Sequence, residues 1–238
     1  MAKGILLIVI DCLRADHVSR YGYDHPTTPT LDELASRGTL WTRAHSVSSW
    51  TKPAVTSLLT GLYPREHGAY QGIKRSKGRS WATTDVLVTA QPTLAESLTA
   101  AGWRCGAFLN NAQLDEFTRL NRGFERYTSD AGQADRLFGI FEEWLRAKPG
   151  NPWFAYLHLL EAHWPYKPRR RHVALFGGNR DTNRFREFSA RDFGRLRHSV
   201  HQGEKNLTDN DREELIQMYD GAVRRLDGKL RTLLKTLR

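Results

Sequence analysis

A short apolar run near the start of the chain constrains the fold more than any other feature. Residues 4–10 read GILLIVI, with no charge and many β-branched side chains. Such a run is typical of a strand buried on both faces of a parallel sheet. It is followed by Asp11, and the carboxyl ends of strands in open α/β sheets are where ligands bind. The sequence therefore predicts an α/β fold with a carboxylate at its ligand-binding edge.

Helix and strand signals alternate along the rest of the chain. Thr30 and Glu33 form a capping box, which predicts a helix over residues 31–37. Further predicted elements are a helix after the capping box at Thr93 and Glu96, strands over 103–109 and 153–160, a helix over 134–147, and a helix from 209 onward divided around Asp220 and Gly221. This alternation favours a mostly parallel central sheet with helices on both faces, in one domain over residues 1–238.

The formal net charge of +10 is confined to two stretches. Lys74, Arg75, Lys77 and Arg79 form the first, and residues 169–197 hold nine arginines against three acids. The second stretch belongs to a basic excursion over 167–206 that lacks clear periodicity. Solvated loops are the simplest interpretation, and attraction of an anionic substrate, lipid headgroup or polymer is the alternative. No DNA- or RNA-binding pattern accompanies the charge, so a nucleic-acid partner is not expected.

The cysteine count and the apolar runs bear on the compartment. Two cysteines are too few for a disulfide framework or a metal cluster, which favours a reducing environment. The longest apolar run is far shorter than the roughly 20 residues of a spanning helix, and no signal-peptide cleavage site follows it. We therefore predict a cytoplasmic location without a membrane span.

The segment around Thr51 carries the clearest chemical signal. Pro53 suits the first turn of a helix and Gly61 a helix end, so Thr51 is predicted at or just before a helix N-terminus. Backbone N–H groups and the helix dipole there favour a bound phosphate or sulfate, beside a hydroxyl that can act as a nucleophile. Without further context, a threonine in this position is more often a helix cap.

Seven segments supply that context. They are IVIDCLRAD (8–16), YGY (21–23), TPTLD (28–32), SWTKP (49–53), LTGLYPREHG (59–68), TLAE (93–96) and LLEAHWPY (159–166). Their order resembles the sulfatase branch of the alkaline phosphatase superfamily, in particular the N-terminal part of a bacterial sulfatase-like hydrolase. The resemblance implies a divalent metal at the carboxyl edge of the sheet and an anionic sulfate or phosphate ester as substrate.

The resemblance also implies residue roles. Asp11 corresponds to a metal ligand, Thr51 to the metal-bound nucleophile, and His163 to a proton donor for the leaving oxygen. A carboxylate oxygen suits calcium, magnesium or manganese, and histidine titrates near neutral pH. On the residues alone, the favoured interpretations are a strand-end cap for Asp11 and a loop residue for His163. Asn110 and Asn111 stand where the family places a Lys-x-His pair, and their amides can contact the substrate.

Departures from the family pattern redirect the chemistry. Sulfatases proper have Cys or Ser at the position of Thr51, which is converted to formylglycine, and an arginine at the position of Val55. Threonine cannot be converted by that route, so no formylglycine is expected. Cys12, in turn, replaces a second aspartate of the family. Threonine nucleophiles occur in relatives that transfer or hydrolyse phosphate esters, including phosphoethanolamine transferases, which favours phosphoryl chemistry.

Several other polar residues have structural interpretations. Arg14 and Asp16 are expected to pair with each other. His17 and His25 each follow an aspartate, but both are too close to the first strand to match the family's later metal ligands. A structural and a functional role remain equally open for His67. Trp164 and Tyr166 are expected either to wall a cleft or to join the core.

The length of the chain bears on three hypotheses for its function. Members of the family generally extend well beyond 238 residues and supply further metal ligands later, so we expect this chain to be the N-terminal, apparently truncated portion of a larger catalytic domain. The leading hypothesis is a metal-dependent hydrolase or phosphotransferase. The alternatives are a catalytically inactive fragment or pseudoenzyme, and a binder of anionic polymers through the two basic stretches.

Overall fold

The structure is a computed structural model that describes residues 4–70, 73–75, 81–83, 86–88, 90–129, 132–148 and 151–237. The described chain divides into two compact units. The first comprises the start of the chain to Val9 and residues 43–160, and the second comprises residues 10–42 and 161–238. The predicted single-domain organisation over residues 1–238 stays a prediction.

Strands and helices alternate as the sequence predicts. The strands are β1 (Gly4–Ile10), β2 (Ile73–Arg75), β3 (Trp81–Thr83), β4 (Arg104–Leu109), β5 (Arg126–Thr128) and β6 (Trp153–Leu159). The helices are α1 (Pro29–Arg37), α2 (Thr51–Thr60), α3 (Pro64–His67), α4 (Leu94–Ala100), α5 (Ala134–Ala147), α6 (Arg170–Ala174), α7 (Ala190–His201) and α8 (Asp209–Thr236). None of these helices is both long and apolar enough to cross a membrane.

The main sheet has four strands in the order β1-β6-β4-β5. Strand β4 runs parallel to β5 and to β6, with Arg104 opposite Trp153 and Leu109 opposite His158. Strands β2 and β3 form a separate antiparallel pair. Every residue of β4 is buried, as a strand covered on both faces requires. The predicted α/β fold with a mostly parallel sheet is confirmed.

The first unit has a core of aliphatic and aromatic side chains under the sheet. Leu109, Phe154 and Tyr156 from the strands pack with Val55 and Leu59 from α2. Helix α4 begins at the predicted capping box, where Thr93 Oγ1 accepts from the backbone N–H of Glu96 at 3.1 Å. The predicted helix over 134–147 coincides with α5, whose apolar face is buried.

In the second unit, α8 is one continuous helix of 28 residues, so the predicted division around Asp220 and Gly221 is wrong. Glycine is used here for close packing rather than as a break. A Cβ at Gly221 would lie 3.0 Å from Cβ of Pro168 and 3.2 Å from the backbone nitrogen of Val173, so the missing side chain admits α6 against α8.

The predicted capping box at Thr30 is also wrong, because α1 begins at Pro29 with Thr28 as its N-cap. Asp227 of α8 takes the place of the cap. Its carboxylate accepts from the backbone N–H of Thr30 at 3.0 Å and from that of Leu31 at 3.1 Å. A partner distant in sequence therefore decides where this helix starts.

The basic excursion over 167–206 contains two helices that its irregular pattern did not indicate. Helix α7 starts at a capping box in which Ser189 Oγ accepts from the N–H of Asp192. Short strands β2, β3 and β5 were also missed. In the other basic stretch, Lys77 and Arg79 lie outside the described residues, and Lys74 and Arg75 belong to β2.

Candidate active site

Thr51 is the first residue of α2, as predicted. Trp50 before it is extended, Pro53 lies in the first turn, and Gly61 ends the helix in the left-handed conformation with φ of 71°. Proline fits the first turn because its missing N–H needs no partner there. The Thr51 side chain is half-buried, while the side chain of Val55 lies in the core.

His67 fixes the start of α2. The Nδ1 atom of His67 accepts from the backbone N–H of Ala69 at 3.1 Å, so Nε2 carries the proton and donates to Ser57 Oγ at 3.1 Å. The imidazole also hydrogen-bonds the backbone of Pro53. Burial lowers the pKa of His67, which keeps the ring neutral. These contacts give His67 a structural role in holding the helix that begins at Thr51.

Asn110 and Asn111 follow β4 directly. The Oδ1 atom of Asn111 accepts from the N–H of Gln113 at 2.9 Å, which orients the amide so that Nδ2 faces His158 Nε2 at 3.5 Å. An amide nitrogen can only donate, so Nδ1 of His158 holds the proton and lies 2.7 Å from the Tyr156 hydroxyl. Asn111 is buried and Asn110 half-buried, which leaves Asn110 the more accessible amide.

Lys52 is a residue whose importance the sequence analysis missed. It follows Thr51 and is completely buried. Its ammonium group acts electrostatically on Asp115, lowering a carboxyl pKa that burial raises overall. Helix α2 contacts the 3-10 turn Ala112–Leu114, so the Thr51 helix and the turn after Asn111 come together. The signal in the sequence was a lysine in the otherwise uncharged segment from 47 to 64.

In the second unit, Asp11 leads into a tight loop. Cys12 adopts φ of 60°, which is unusual for a residue other than glycine, and its thiol lies 3.5 Å from Asp11 Oδ1. The Tyr219 hydroxyl braces the loop by donating to the carbonyl of Cys12 and accepting from the N–H of Arg14, each at 2.8 Å. Burial and the adjacent Asp11 raise the pKa of Cys12 to about 12, so its thiol stays protonated at neutral pH.

The neighbouring polar residues have protein partners. Arg14 forms the expected ion pair with Asp16, with Nε–Oδ1 and Nη2–Oδ2 distances of 2.9 and 2.6 Å. His17 is not arranged as a metal ligand, because its Nδ1 lies 2.7 Å from Asp220 Oδ1. The other oxygen of Asp220 accepts from the Tyr23 hydroxyl at 2.6 Å.

His163 is half-buried in the loop after β6. Its Nδ1 lies 2.6 Å from the carbonyl oxygen of Trp164, and a carbonyl only accepts, so Nδ1 carries a proton. The Nε2 atom is therefore the ring nitrogen that can exchange a proton with a substrate. Side chains that flank Asp11 and His163 in sequence, Ile10 and Ala162, belong to one apolar cluster with Tyr219.

The donors that would hold a metal fit in kind but not in number. Asp11 offers a carboxylate and Thr51 a hydroxyl, both hard oxygen ligands suited to calcium, magnesium or manganese. Across the described ranges, no three or more His, Cys, Asp or Glu side chains are grouped to hold a metal ion. The assignment of Asp11 and Thr51 as metal ligands therefore stays a prediction.

The sheet and its polar loops define an α/β domain of the sulfatase and alkaline phosphatase type. The chain belongs to the sulfatase family, which it matches over residues 3–238. Arylsulfatase A from Bos taurus is 32% identical over 143 residues, covering 56% of this chain and 27% of that enzyme. The chain therefore spans only about a quarter of this relative.

Solved structures show the same fold at low sequence identity. The phosphonate monoester hydrolase of Agrobacterium radiobacter has a TM-score of 0.65 and 19% identity, with 99% of this chain and 60% of that one covered. The C-terminal periplasmic domain of EcEptC from Escherichia coli, in complex with Zn, has a TM-score of 0.65 and 18% identity, with 98% and 59% covered. Proteins that share this fold thus include a phosphonate monoester hydrolase and a domain observed with zinc.

Proposed function

We propose that this chain carries the nucleophile of a metal-dependent enzyme that hydrolyses or transfers phosphate esters. The observation that carries the proposal is the position of Thr51 as the first residue of α2. A helix start attracts an anionic ester, and the half-buried hydroxyl stands beside it. The likeness to a phosphonate monoester hydrolase supports phosphoryl chemistry.

In this proposal each candidate residue has a role in the reaction. The Thr51 hydroxyl gives its proton to solvent and its oxygen attacks phosphorus. The bond between phosphorus and the alcohol oxygen breaks, and that oxygen takes a proton from Nε2 of His163. Water or an acceptor alcohol then attacks phosphorus and gives its proton to His163, while the bond between phosphorus and the Thr51 oxygen breaks and that oxygen recovers a proton from solvent. Asn110 and Asn111 donate hydrogen bonds to phosphate oxygens. Asp11 and Thr51 would be two of the ligands of a divalent metal, which would supply a lower pKa to the hydroxyl that it contacts.

Phosphate is favoured over sulfate by the residue at position 55. The family's sulfate chemistry uses formylglycine and an arginine, whereas here Thr51 and Val55 occupy those positions. Val55 is 4% exposed and packs in the core, so its side chain offers nothing to an anion. We expect turnover of 4-nitrophenyl phosphate or bis(4-nitrophenyl) phosphate to exceed that of 4-nitrophenyl sulfate by at least about tenfold.

Substitution of Thr51 tests the nucleophile. With magnesium, manganese, calcium or zinc present, Thr51→Ala is expected to lower kcat for the aryl phosphate by at least about 100-fold, because no other group replaces the attacking oxygen. Thr60→Ala, at the far end of the same helix, is the matched control and should retain activity. Equal activity of Thr51→Ala and Thr60→Ala would contradict the assignment.

A separate measurement addresses the metal and the inactive alternative. Calorimetric titration with manganese should show binding that weakens in Asp11→Asn, because the amide removes the charge of a ligand. Metal binding without turnover by the unaltered chain would favour an inactive sulfatase-like module over an enzyme.

A further inference from the structure

The second unit contains a cavity of about 490 Å³ that no part of the proposed reaction uses. Its walls come from α7, α8 and the loops after β1 and β6. The volume lies within the range of about 300–1,000 Å³ typical of small-molecule sites. Arg14 and Trp164 in its wall belong to the loops that carry Asp11 and His163.

Apolar side chains make up most of the wall. Phe193, Leu196 and Val200 lie at helical spacing on one face of α7 and line the cavity. No residue of α7 is buried, although the helix has an apolar face. Opposite them, Ile216 of α8 lines the same cavity and is 43% exposed. Phe193 is partly covered by aromatic rings, including that of Trp164, whereas Leu196 and Val200 leave the apolar face of α7 open to a ligand.

The charged groups in the wall are all basic. Two of them are already compensated, because Arg14 pairs with Asp16 and His17 contacts Asp220. Arg197 has no ion pair or hydrogen bond within the described residues, and no Asp or Glu lines the cavity. The wall therefore combines an apolar surface with one uncompensated guanidinium group.

We propose that this cavity binds an amphiphilic organic anion, with its alkyl or aryl group against Phe193 and Leu196 and its negative headgroup on Arg197. Burial of the apolar group supplies most of the affinity. The charge-assisted hydrogen bond to Arg197 selects an anion over an alcohol of the same length.

Titration calorimetry of the full chain with octane-1-sulfonate tests the site. This probe has no ester bond, so its binding does not depend on the proposed reaction. A negative result for binding therefore leaves the proposed catalysis untouched, and the reverse also holds. We expect one site, with methanesulfonate and octan-1-ol each binding at least about tenfold more weakly, because each lacks one half of the ligand. Equal affinity for octan-1-ol, or no binding of the sulfonate, would overturn the proposal.

Two pairs of variants locate the ligand. Arg197→Gln should weaken binding at least about fivefold, whereas Arg195→Gln, on the same helix but outside the cavity, should not change it. Leu196→Trp should fill the cavity and abolish binding, whereas Leu175→Trp, at an exposed site outside it, should leave binding unchanged. If Leu196→Trp does not fold, the comparison of Arg197→Gln with Arg195→Gln tests the site. Equal losses in Arg195→Gln and Arg197→Gln would show that the site lies elsewhere.

Discussion

Asp227 is a buried carboxylate on α8 that holds the first turn of α1. It is 1% exposed, and it accepts from the N–H groups of Thr30 and Leu31. Asp227→Ala should lower the free energy of unfolding by about 2–4 kcal/mol, because two buried donors lose their acceptor. Asp227→Asn should cost less, since its amide oxygen still accepts and burial, by raising the Asp227 pKa, already disfavours the charged form. Urea unfolding measures the difference.

Asp209 provides the control for this experiment. It lies at the start of the same helix, fully exposed, and among the described residues it pairs only with Arg212. Asp209→Ala should change stability by no more than about 0.5 kcal/mol, as surface substitutions generally do. Similar losses in the Asp209 and Asp227 variants would mean that the α1 contact contributes little.

At the scale of elements, two glycines with the same backbone conformation separate steric from conformational effects. Gly102 and Gly123 both have φ of 82°. A Cβ at Gly123 would lie 2.2 Å from the backbone nitrogen of Glu96, whereas nothing lies within 4 Å of one at Gly102. Gly102→Ala should cost only the left-handed strain of about 1–2 kcal/mol. Gly123→Ala should cost at least about 3 kcal/mol, because α4 must move. Denaturant unfolding of both variants checks this, and equal losses would contradict it.

Elements were predictable where local signals agree with packing. Strand β1 and helix α5 were found to the residue, since an apolar run and a helical stripe each indicate their own element. The expected burial of β1 on both faces is wrong, because β1 lies at the edge of the described sheet and its residues are half-buried or exposed. The start of α1 and the continuity of α8 depend on contacts between distant residues, Asp227 with Thr30 and Gly221 with Pro168. Patterns within a short window contain no information on such contacts.

The sequence predicted which residues belong to the candidate site better than it predicted the contacts that surround them. The positions of Thr51 and Asp11 follow from a helix start and a strand end, both readable in the sequence. The roles of Lys52 and His67 depend on burial and on the tautomer that neighbouring amides impose. Further metal ligands stay unassigned, because the described residues contain no group of three or more His, Cys, Asp or Glu side chains that could hold a metal ion.

For the molecule as a whole, two histidines should make the free energy of unfolding depend on pH. This dependence should extend to pH values above those at which carboxylates usually titrate. Burial, with four surrounding arginines, lowers the pKa of His172 to about 4, and burial lowers that of His67. An unfolded histidine has a pKa of about 6.5, so between these values the unfolded chain binds more protons. Stability is therefore full above about pH 6.5 and falls as the pH decreases towards 4.

The variant His172→Gln isolates this contribution. It should reduce the stability lost between pH 7 and 5 by about 1 kcal/mol or less, because solvent screens a partly exposed ring. His198→Gln, at an exposed site on α7, should leave the loss unchanged. Melting temperatures across this range provide the measurement. A loss that is identical in both variants would assign the pH dependence to other groups.

The long final helix also has a consequence for the order in which the protein is made. The loop after Asp11 and the start of α1 leave the ribosome before α8, yet their buried polar groups are satisfied by Tyr219, Asp220 and Asp227 of that helix. These partners follow roughly 200 positions later. Until they are synthesised, the early segments have no native partner to close on, and the second unit can form only after α8 has emerged. The carboxylate proposed to bind the metal is thus made well before the helix that completes the loop presenting it.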